Sequence, residues 1–435
     1  MRFQSVKGTR DFYPDQMRLR NWITDAWRRV SVRNGFEEYD APIFEYLDLL
    51  TIKSGQEIAE QLFSFSDRGG RHLAIRPEIT PSLARMVNAR IHSLPRPIKW
   101  FSVPRLCRAE NPQRGRLREF FQWNIDILGS DDVLADAECI FVAADFLREI
   151  GLTPGDVCVR IGSRPLTVAV LTAAGVPPQA ADAALAALDK RPRLPEEEFH
   201  KLAAEAGLTG EQIARVCEFQ DCGDLERLEE AVGGLKGAPA HAAALRDLWG
   251  HLAAMGVVDY CCLDMRIVRG LAYYTGIVYE IFDRDQSLRA IAGGGRYDDL
   301  LGVLGGPKIG ATGFGMGDVV LGILLEEKGK VPQAVRSQPL DFFVIDGQEG
   351  AFQQVQRVVG ALRARGLTAD FSYKRQPIGK QLREANRRGA RAAVIVREDR
   401  VAVKDMATGD QNDLGLEDFL GRADRVLADL RSPTA

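Results

Sequence analysis

The chemistry of this chain is expected to centre on residues 105–129, where arginines, acids and aromatic residues recur at short steps. Asn111-Pro112 and Arg114-Gly115 indicate a polar loop. A strand over residues 99–108 is expected before this loop, and a second strand after it. The second strand alternates apolar and polar residues, so one face is expected to pack and the other to stay open. Guanidinium groups on an open face suit a polyphosphate, and carboxylates suit an ammonium group. The alternative is a solvated, charge-balanced hairpin. The side chains expected on the open face are Arg108, Glu110, Gln122 and Asp126.

Three further stretches carry residues that could bind a small charged molecule. Residues 76–80 read Arg-Pro-Glu-Ile-Thr before an expected helix, where Thr80 could simply be the N-cap. Residues 263–282 predict an aromatic-rich pair of strands around a glycine, with two adjacent tyrosines on opposite faces. Residues 293–298 read Gly-Gly-Gly-Arg-Tyr-Asp, which indicates either a tight turn or a backbone that a ligand approaches closely.

These stretches together resemble one known family. The steps R-x-E, P-Q-x-G-R-x-R-x-F and Q-x-x-x-D over residues 108–126 resemble motif 2 of the class II aminoacyl-tRNA synthetases, in the version of the histidyl-tRNA synthetase family. R-P-E-x-T at residues 76–80 is similar to that family, and R-G-L-A-Y-Y-T-G and G-G-G-R-Y-D resemble its two histidine motifs. The resemblance covers nearly the whole chain. It implies an α+β catalytic core built on a mainly antiparallel sheet, with a helical insertion and a C-terminal α/β anticodon-binding-like domain.

The resemblance implies a two-step ligase reaction. L-Histidine and ATP would form histidyl-adenylate and pyrophosphate, and the histidyl group would then pass to the 3′ end of tRNA(His). Mg²⁺ would balance the phosphates without a fixed protein site. Catalysis would rest on orientation and charge stabilisation, with Arg108 and Arg269 at the α-phosphate. The residues implied to bind histidine are Glu78, Thr80, Gln122, Asp126, Tyr273 and Tyr274. Those implied to bind ATP are Arg108, Glu110, Arg116 and Phe120.

Two motifs of the chain depart from the family pattern. Ala272 stands where the family has Asp, and Val319 and Val320 replace the Glu-Arg pair of motif 3, whose arginine binds ATP. Some bacterial and organellar members share the G-F-G-x-G-D form found at residues 313–318, which favours activity. The alternative is a non-catalytic paralogue that serves as the regulatory subunit of ATP phosphoribosyltransferase. Such relatives typically lack the anticodon-binding domain and an intact R-G-L-x-Y-Y string, and both are present here.

The elements that would position these residues form several parts. Residues 1–325 are expected to form the catalytic domain, and residues 171–245, with alanine and leucine at helical spacing, a helical insertion within it. The alternative for that segment is a continuous part of the main core. A linker over residues 326–339 leads to residues 340–435, where alternating strands and helices predict a small α/β domain with a largely parallel sheet. Its basic residues could contact RNA phosphates or form a solvated face. They are Lys374, Arg375, Lys380, Arg387 and Arg388.

The N-terminal region predicts a contact with a second copy of the chain. A helix is expected over residues 15–34, followed by a strand that contains Pro42. Proline within a strand indicates an edge or an interface. The helix, strand and proline resemble motif 1 of class II synthetases, which implies a homodimer. The alternative is an edge strand with no partner.

The composition indicates the class of protein to which the chain belongs. With 435 residues, 46% hydrophobic and 27% charged, the chain is expected to be a soluble protein of two or three domains. No run of apolar residues is long enough to predict a membrane span, and the N-terminus has no signal-like core. Seven cysteines indicate reduced thiols in the cytoplasm rather than a disulfide framework. A net charge of −3 argues against a general nucleic-acid coat but permits a local basic surface.

Overall fold

The computed structural model describes residues 3–52, 62–269, 273–337, 340–374 and 376–430. The chain divides into two compact units, Met1–Val331 and Pro332–Ala435. Two positions named above, Ala272 and Arg375, lie outside the described residues.

The first unit is organised around a large sheet, whose strands follow the order β1-β5-β7-β12-β11-β10-β8-β9, with β6 paired to β7. The β1–β5 and β8–β9 pairs are parallel, and the other pairs are antiparallel. This arrangement confirms the expected mainly antiparallel core. A smaller sheet has the order β2-β4-β3. The strands are β1 (Glu37–Glu38), β2 (Phe44–Tyr46), β3 (Ser64–Ser66), β4 (His72–Ile75), β5 (Ile98–Ser102), β6 (Arg105–Cys107), β7 (Glu119–Leu128), β8 (Val157–Ser163), β9 (Cys261–Leu263), β10 (Ile277–Asp283), β11 (Ala292–Arg296) and β12 (Ala311–Gly317).

Helices cover this sheet and fill the middle of the unit. The run from α5 to α10 begins and ends outside the expected residues 171–245, because the helical pattern extends into both flanks. Short 3₁₀ turns lie at Pro178–Ala180, Arg191–Arg193 and Val258–Tyr260. The helices are α1 (Pro14–Arg33), α2 (Leu47–Thr51), α3 (Thr80–Ala89), α4 (Leu134–Glu149), α5 (Arg164–Ala173), α6 (Ala181–Lys190), α7 (Glu196–Glu205), α8 (Gly210–Gln220), α9 (Leu225–Val232), α10 (Ala238–Ala254), α11 (Leu300–Val303) and α12 (Asp318–Glu327).

Helices α1 and α4 bury the apolar face of β7. The ring of Trp123 stacks at 6.1 Å on Trp27 of α1 and meets Phe146 of α4 at 5.2 Å. The indole nitrogen of Trp123 donates to Ser31 Oγ at 2.9 Å, so its polar atom is paired although the side chain is fully buried. Burial of each such aromatic side chain stabilises the fold by roughly 1.5–3 kcal/mol. This packing fixes the strand that carries the polar residues on its other face.

Four local expectations are wrong in this unit. The expected strand that contains Pro42 is divided into β1 and β2, which lie on either side of that proline. Residues 99–108 form two strands, β5 and β6, because Pro104 lacks the N–H group that would continue the ladder. The expected pair of strands over residues 263–282 is the single strand β10, because β9 ends at Leu263 and the described residues between the two form no strand. The polar face of β7 is not open at Asp126, which is only 3% exposed because other elements cover it.

The second unit contains a five-stranded sheet of order β14-β13-β15-β16-β17. The expected largely parallel sheet is wrong: β13 is parallel to β14 and β15, but β16 and β17 are added antiparallel, since short connections join β15, β16 and β17. The strands are β13 (Leu340–Asp346), β14 (Ala369–Phe371), β15 (Ala390–Val396), β16 (Arg400–Asp405) and β17 (Gln411–Gly415). The helices are α13 (Gln333–Arg336), α14 (Phe352–Ala364), α15 (Ile378–Arg387) and α16 (Leu416–Asp429).

Candidate active site

Two glycines of β12 leave room for polar side chains of β7. Gly313 lies opposite Asp126 in the ladder, and Gly315 lies opposite Asn124. A Cβ at Gly313 would lie 2.6 Å from Asp126 Oδ1, and one at Gly315 would lie 2.7 Å from the amide carbon of Gln122. These two glycines of β12 therefore accommodate side chains of the site itself.

Two buried carboxyl groups form the inner part of the site. Glu78 is 7% exposed and Asp126 is 3% exposed. Tyr273 donates its hydroxyl to Glu78 Oε2 at 3.2 Å, and Tyr297 donates its hydroxyl to Asp126 Oδ1. Glu78 Oε1, Asp126 Oδ2 and the hydroxyl of Tyr39 are buried and have no partner within the described chain. Buried polar atoms without partners are rare, so these three atoms fit a bound polar molecule.

Burial also changes the protonation of these carboxyl groups. It raises the pKa of Asp126 to about 7, against the hydrogen bond from Tyr297, and the nearby charge of Glu78 adds to the increase. Burial likewise raises the pKa of Glu78, whereas Arg108, Tyr273 and Arg269 each act to lower it. A cationic ligand would favour the ionised form of both groups.

Tyr273 and Tyr274 lie side by side rather than on opposite faces as expected. Their ring centroids are 4.9 Å apart, and both side chains are buried. The tyrosines precede β10 instead of lying in a strand, so the alternation of a strand does not separate them. Together with Tyr297, whose ring lies 5.9 Å from that of Tyr273, they form an aromatic wall beside Glu78.

Arg269 is held beside this wall in an uncommon backbone conformation. Its φ is +60°, a value that non-glycine residues seldom adopt. Its guanidinium forms an ion pair with Glu280 and lies 5.6 Å from the ring centroid of Tyr274, while Nε is buried without a partner in the described chain. Burial acts to lower the pKa of Arg269, but Tyr274 and Glu280 outweigh it and raise that pKa. The guanidinium is thus a fixed positive charge with one donor still free.

The outer part of the site contains Arg108, Phe120 and the ion pair of Glu110 with Arg116. Arg108 donates from Nε to the carbonyl of Pro77 at 3.0 Å, and its guanidinium lies 5.3 Å from the ring centroid of Phe120. Glu110 and Arg116 pair at 2.7 Å across the loop between β6 and β7. The charge of Arg108 acts on Glu78, so the expected α-phosphate and histidine residues are neighbours.

Thr80 and Val320 both lie at the start of a helix, α3 and α12 respectively. Helix α3 begins at Thr80, with Ile79 at the N-cap and no side chain capping it, so the capping alternative for Thr80 is wrong. Val320 lies in the first turn of α12 and is 6% exposed. Its Cγ2 would lie 3.2 Å from a Cβ at Gly115, so the position of the expected motif 3 arginine is packed against the β6–β7 loop.

Sequence reasoning left three residues of the site without a role. Tyr297 binds Asp126, Glu280 pairs with Arg269, and Gly293 allows the close approach of Arg269. The triple glycine was a usable signal of close approach, but the group that approaches Gly293 is a protein side chain. Glu280 carried no signal, because an acid within an apolar strand does not indicate its partner.

Two further properties follow from the described ranges. They contain no group of three or more His, Cys, Asp or Glu side chains arranged to hold a metal ion. None of their helices combines the length and apolar character needed to cross a membrane.

Comparisons with known proteins agree with this geometry. The fold is that of the class II aminoacyl-tRNA synthetases, and it superimposes with a TM-score of 0.81 on a crystal structure of histidyl-tRNA synthetase from Nostoc sp. PCC 7120, at 22% identity over 98% of this chain and 100% of that one. The pattern described as "Histidyl-tRNA synthetase" matches residues 8–317, and that described as "Anticodon binding domain" matches residues 341–424. The chain therefore belongs to the histidyl-tRNA synthetase family.

Curated relatives extend the similarity over nearly the full length. The chain is 42% identical over 423 residues to histidine–tRNA ligase of Opitutus terrae, covering 95% of this chain and 96% of the relative. It is 39% identical over 418 residues to the chloroplastic/mitochondrial histidine–tRNA ligase of Arabidopsis thaliana, covering 95% and 85% respectively. These relatives confirm the ligase interpretation, and the regulatory-subunit alternative is not favoured.

Proposed function

We propose that this chain activates L-histidine with ATP and transfers the histidyl group to the 3′ end of tRNA(His). The observation that supports this most directly is the pair of buried carboxyl groups with free oxygens, Glu78 and Asp126, beside two arginines. Histidine carries an ammonium group, an imidazole N–H and a carboxylate, which match those two kinds of partner. Membership of the family supplies the reaction, and the geometry supports the role proposed for each residue.

The inner carboxyl groups and the tyrosines bind histidine in this proposal. Glu78 and Asp126 accept from the ammonium and imidazole N–H groups, because each has an unpaired oxygen in a buried place. Tyr273 and Tyr274 pack against the imidazole ring, and Tyr273 also orients Glu78 through its hydroxyl. Gln122 in β7 and Thr80 at the start of α3 complete the proposed set of residues that bind histidine.

The arginines act on the phosphate that reacts. The histidine carboxylate attacks the α-phosphorus of ATP, the bond to the bridging oxygen breaks, and pyrophosphate leaves with that electron pair. Arg269 and Arg108 stabilise the negative charge that develops on the α-phosphate oxygens. Glu110 accepts from the adenine amino group, Phe120 stacks on the base, and Arg116 binds phosphate oxygens.

Mg²⁺ enters in this proposal as part of the substrate MgATP. The described residues offer no cluster of three ligands, and Glu110, which lies in the same loop as Arg116, already pairs with that arginine. The chain's own residues therefore orient the phosphates, while the ion neutralises part of their charge when it is bound.

The second unit binds the anticodon region of the RNA. A face formed by the end of β14 and by α15 carries an exposed aromatic ring, Tyr373, which is 82% exposed and can stack on a base. Lys374, Lys380 and Arg387 line the same groove, whereas Arg388 pairs with Asp370 at 2.7 Å. Arg388 is therefore a weaker candidate for an RNA phosphate than the other three.

The protein acts as a homodimer in the cytoplasm. The small sheet presents exposed aromatic side chains, Phe44 at 49% and Phe65 at 44%, whose rings lie 6.2 Å apart. Exposed apolar surface of this kind marks interaction sites. The seven cysteines are free thiols, which fits a reducing compartment.

The test is ATP–pyrophosphate exchange with the purified protein, with and without histidine. Exchange that requires L-histidine and ignores other amino acids is expected. Asp126→Ala should abolish the histidine-dependent exchange. Absence of exchange in the wild-type protein, with histidine still raising the melting temperature, would overturn the ligase assignment and favour a regulatory role.

A further inference from the structure

Two arginines from separate parts of the first unit, Arg116 and Arg193, lie within electrostatic reach of a third, Arg289. Arg116 lies in the β6–β7 loop, Arg193 ends a 3₁₀ turn of the helical segment, and Arg289 lies between β10 and β11. Burial lowers the pKa of Arg289, and repulsion from Arg116 and Arg193 lowers it further, whereas Glu110 acts in the opposite sense. Glu110 is already paired with Arg116. The cluster therefore carries positive charge in excess of the acids around it.

Arg289 and Arg193 form no ion pair and no side-chain hydrogen bond with the described part of the chain, although Arg289 is half-buried. An arginine that is partly removed from water, next to other arginines, is costly unless an anion joins it. The described structure thus leaves the guanidinium groups of Arg289 and Arg193 without a partner from the described part of the chain.

The backbone holds Arg289 in place. Asp283 accepts from the backbone N–H groups of Ser287 at 2.8 Å and Leu288 at 3.1 Å, and Leu288 is buried. On the other side of Arg289, the carbonyl of Ile291 accepts from Gly317 N at 3.1 Å, directly before α12. The loop is thereby fixed to the start of α12.

The β6–β7 loop meets the start of α12 from another direction. Gly115, next to Arg116, packs against Val320 in the first turn of that helix. Arg116 and Arg289 therefore both lie next to the start of α12, where the side chain of Val320 supplies no charge. Asp318, the first residue of α12, is acidic and pairs with Arg10 at 2.7 Å, so positive charge for an anionic ligand there comes from the neighbouring loops.

We propose that Arg289, together with Arg116 and Arg193, binds the β- and γ-phosphates of ATP and the pyrophosphate that leaves. This inference rests on the proposed function, since it assigns the far end of the same ATP molecule. Guanidinium groups bind phosphate oxygens in bidentate fashion, and a polyphosphate relieves the mutual repulsion of the three arginines. Arg289 thereby takes the part of the arginine that Val320 replaces.

The experiment compares ligands that differ only in their phosphates. Binding of ATP, AMP and inorganic pyrophosphate is measured by calorimetry without histidine, for the wild-type protein and for Arg289→Ala. The variant should bind ATP and pyrophosphate about 10–100-fold more weakly, the loss typical of charge-assisted hydrogen bonds, and AMP within about threefold. Arg289→Lys should recover part of the loss, because it restores the charge without the planar fork.

The matched control is Arg284→Ala in the same loop. Arg284 is exposed and donates to the carbonyl of Pro154 at 2.7 Å, away from the cluster. Arg284→Ala should leave the binding of ATP, AMP and pyrophosphate unchanged. Arg284→Ala and Arg289→Ala should both keep the melting temperature of the wild type.

Two results would overturn the proposal: an equal loss for AMP and ATP, or unchanged binding of ATP and pyrophosphate. Weaker tRNA binding together with unchanged ATP binding would assign the cluster to RNA phosphates instead. The failure of the proposed function has a different signature. The wild-type protein would then lack histidine-dependent exchange, whereas Arg289→Ala would still bind ATP more weakly than the wild-type protein does.

Discussion

A Cβ atom at Gly293 would lie 2.4 Å from Nη1 of Arg269. The glycine in β11 therefore makes room for the guanidinium that we assign to the α-phosphate. Glu280 on the neighbouring strand β10 pairs with the same guanidinium, and Gly293 and Glu280 face each other in the ladder. One strand thus supplies the space for Arg269 and the next supplies its counter-charge.

Replacing Gly293 by alanine should displace Arg269 and slow adenylate formation. The guanidinium is the far end of a flexible side chain, so the fold should survive, although the strained ion pair with Glu280 should lower the melting temperature. A shift of about 1 Å in a catalytic group can reduce the rate about a hundredfold, so exchange should show a lower kcat. Gly322→Ala is the control, since a Cβ at Gly322 in α12 meets nothing within 4 Å. Equal rates in both variants would contradict the role of Gly293.

Removing the guanidinium of Arg269 should abolish adenylate formation. Loss of a group that stabilises transition-state charge typically reduces the rate about 100–1,000-fold. Arg269→Ala also leaves Glu280 buried without its partner, which costs stability. The double variant Arg269→Ala, Glu280→Gln removes that charge and serves as the folded comparison. Pyrophosphate exchange at the wild-type rate in the folded double variant would refute the assignment.

The buried carboxyl of Asp126 should make the stability of the protein depend on pH. Its pKa is about 7 in the folded protein and 3.8 in the reference state, so the folded state binds the proton more tightly. The stability that this difference provides is full below about pH 3.8 and is lost as the pH rises through about 7. A shift of about 3 units corresponds to about 4 kcal/mol.

Asp126→Asn is the variant that isolates this effect. The amide still accepts a hydrogen bond from Tyr297 but cannot ionise. Between about pH 5 and about pH 8 the wild-type protein should therefore lose more stability than the variant. Denaturant unfolding of both proteins across this range measures the difference. Parallel curves would show that Asp126 does not titrate in this range.

The β6–β7 loop should be sensitive at Gly115. Its φ is +79°, which favours glycine, and a Cβ would lie 3.2 Å from Val320. Gly115→Ala should move Arg116 and raise the KM for ATP about tenfold, with a smaller effect on the KM for histidine. Gly366→Ala is the matched control, because Gly366 has a φ of +80° but a Cβ there meets nothing within 4 Å. Similar changes in both variants would indicate a general effect of backbone strain.

The exposed aromatic residues of the small sheet should hold two copies together. The wild-type protein should have about twice the chain mass of 48.0 kDa in solution by light scattering. Phe44→Glu with Phe65→Glu should yield monomers, because charges would replace apolar contact area. Lys374→Glu, in the second unit, is the control and should remain dimeric. A wild-type monomer would refute the proposed homodimer.

Local patterns predicted much of the fold and named most of the residues that we assign to the candidate site. The alternation of β7 and the helical spacing in α1, α4 and the segment from α5 to α10 depend on neighbouring residues, so they can be read along the chain. The largely parallel sheet expected in the second unit was wrong, because the short connections after β15 and β16 add β16 and β17 antiparallel. The opposite-facing tyrosines were wrong because Tyr273 and Tyr274 do not lie in a strand.

The sequence by itself determined which family the chain belongs to and which residue types are available for chemistry. Only the tertiary structure decided their environment, because burial and electrostatic partners join residues far apart in the chain. The elements that cover Asp126 raise the pKa of its carboxyl group to about 7. Gly293 leaves room for the guanidinium of Arg269, and Glu280 pairs with it. Arg289 is distant in sequence from Arg116 and Arg193, and only the folded chain brings their charges together.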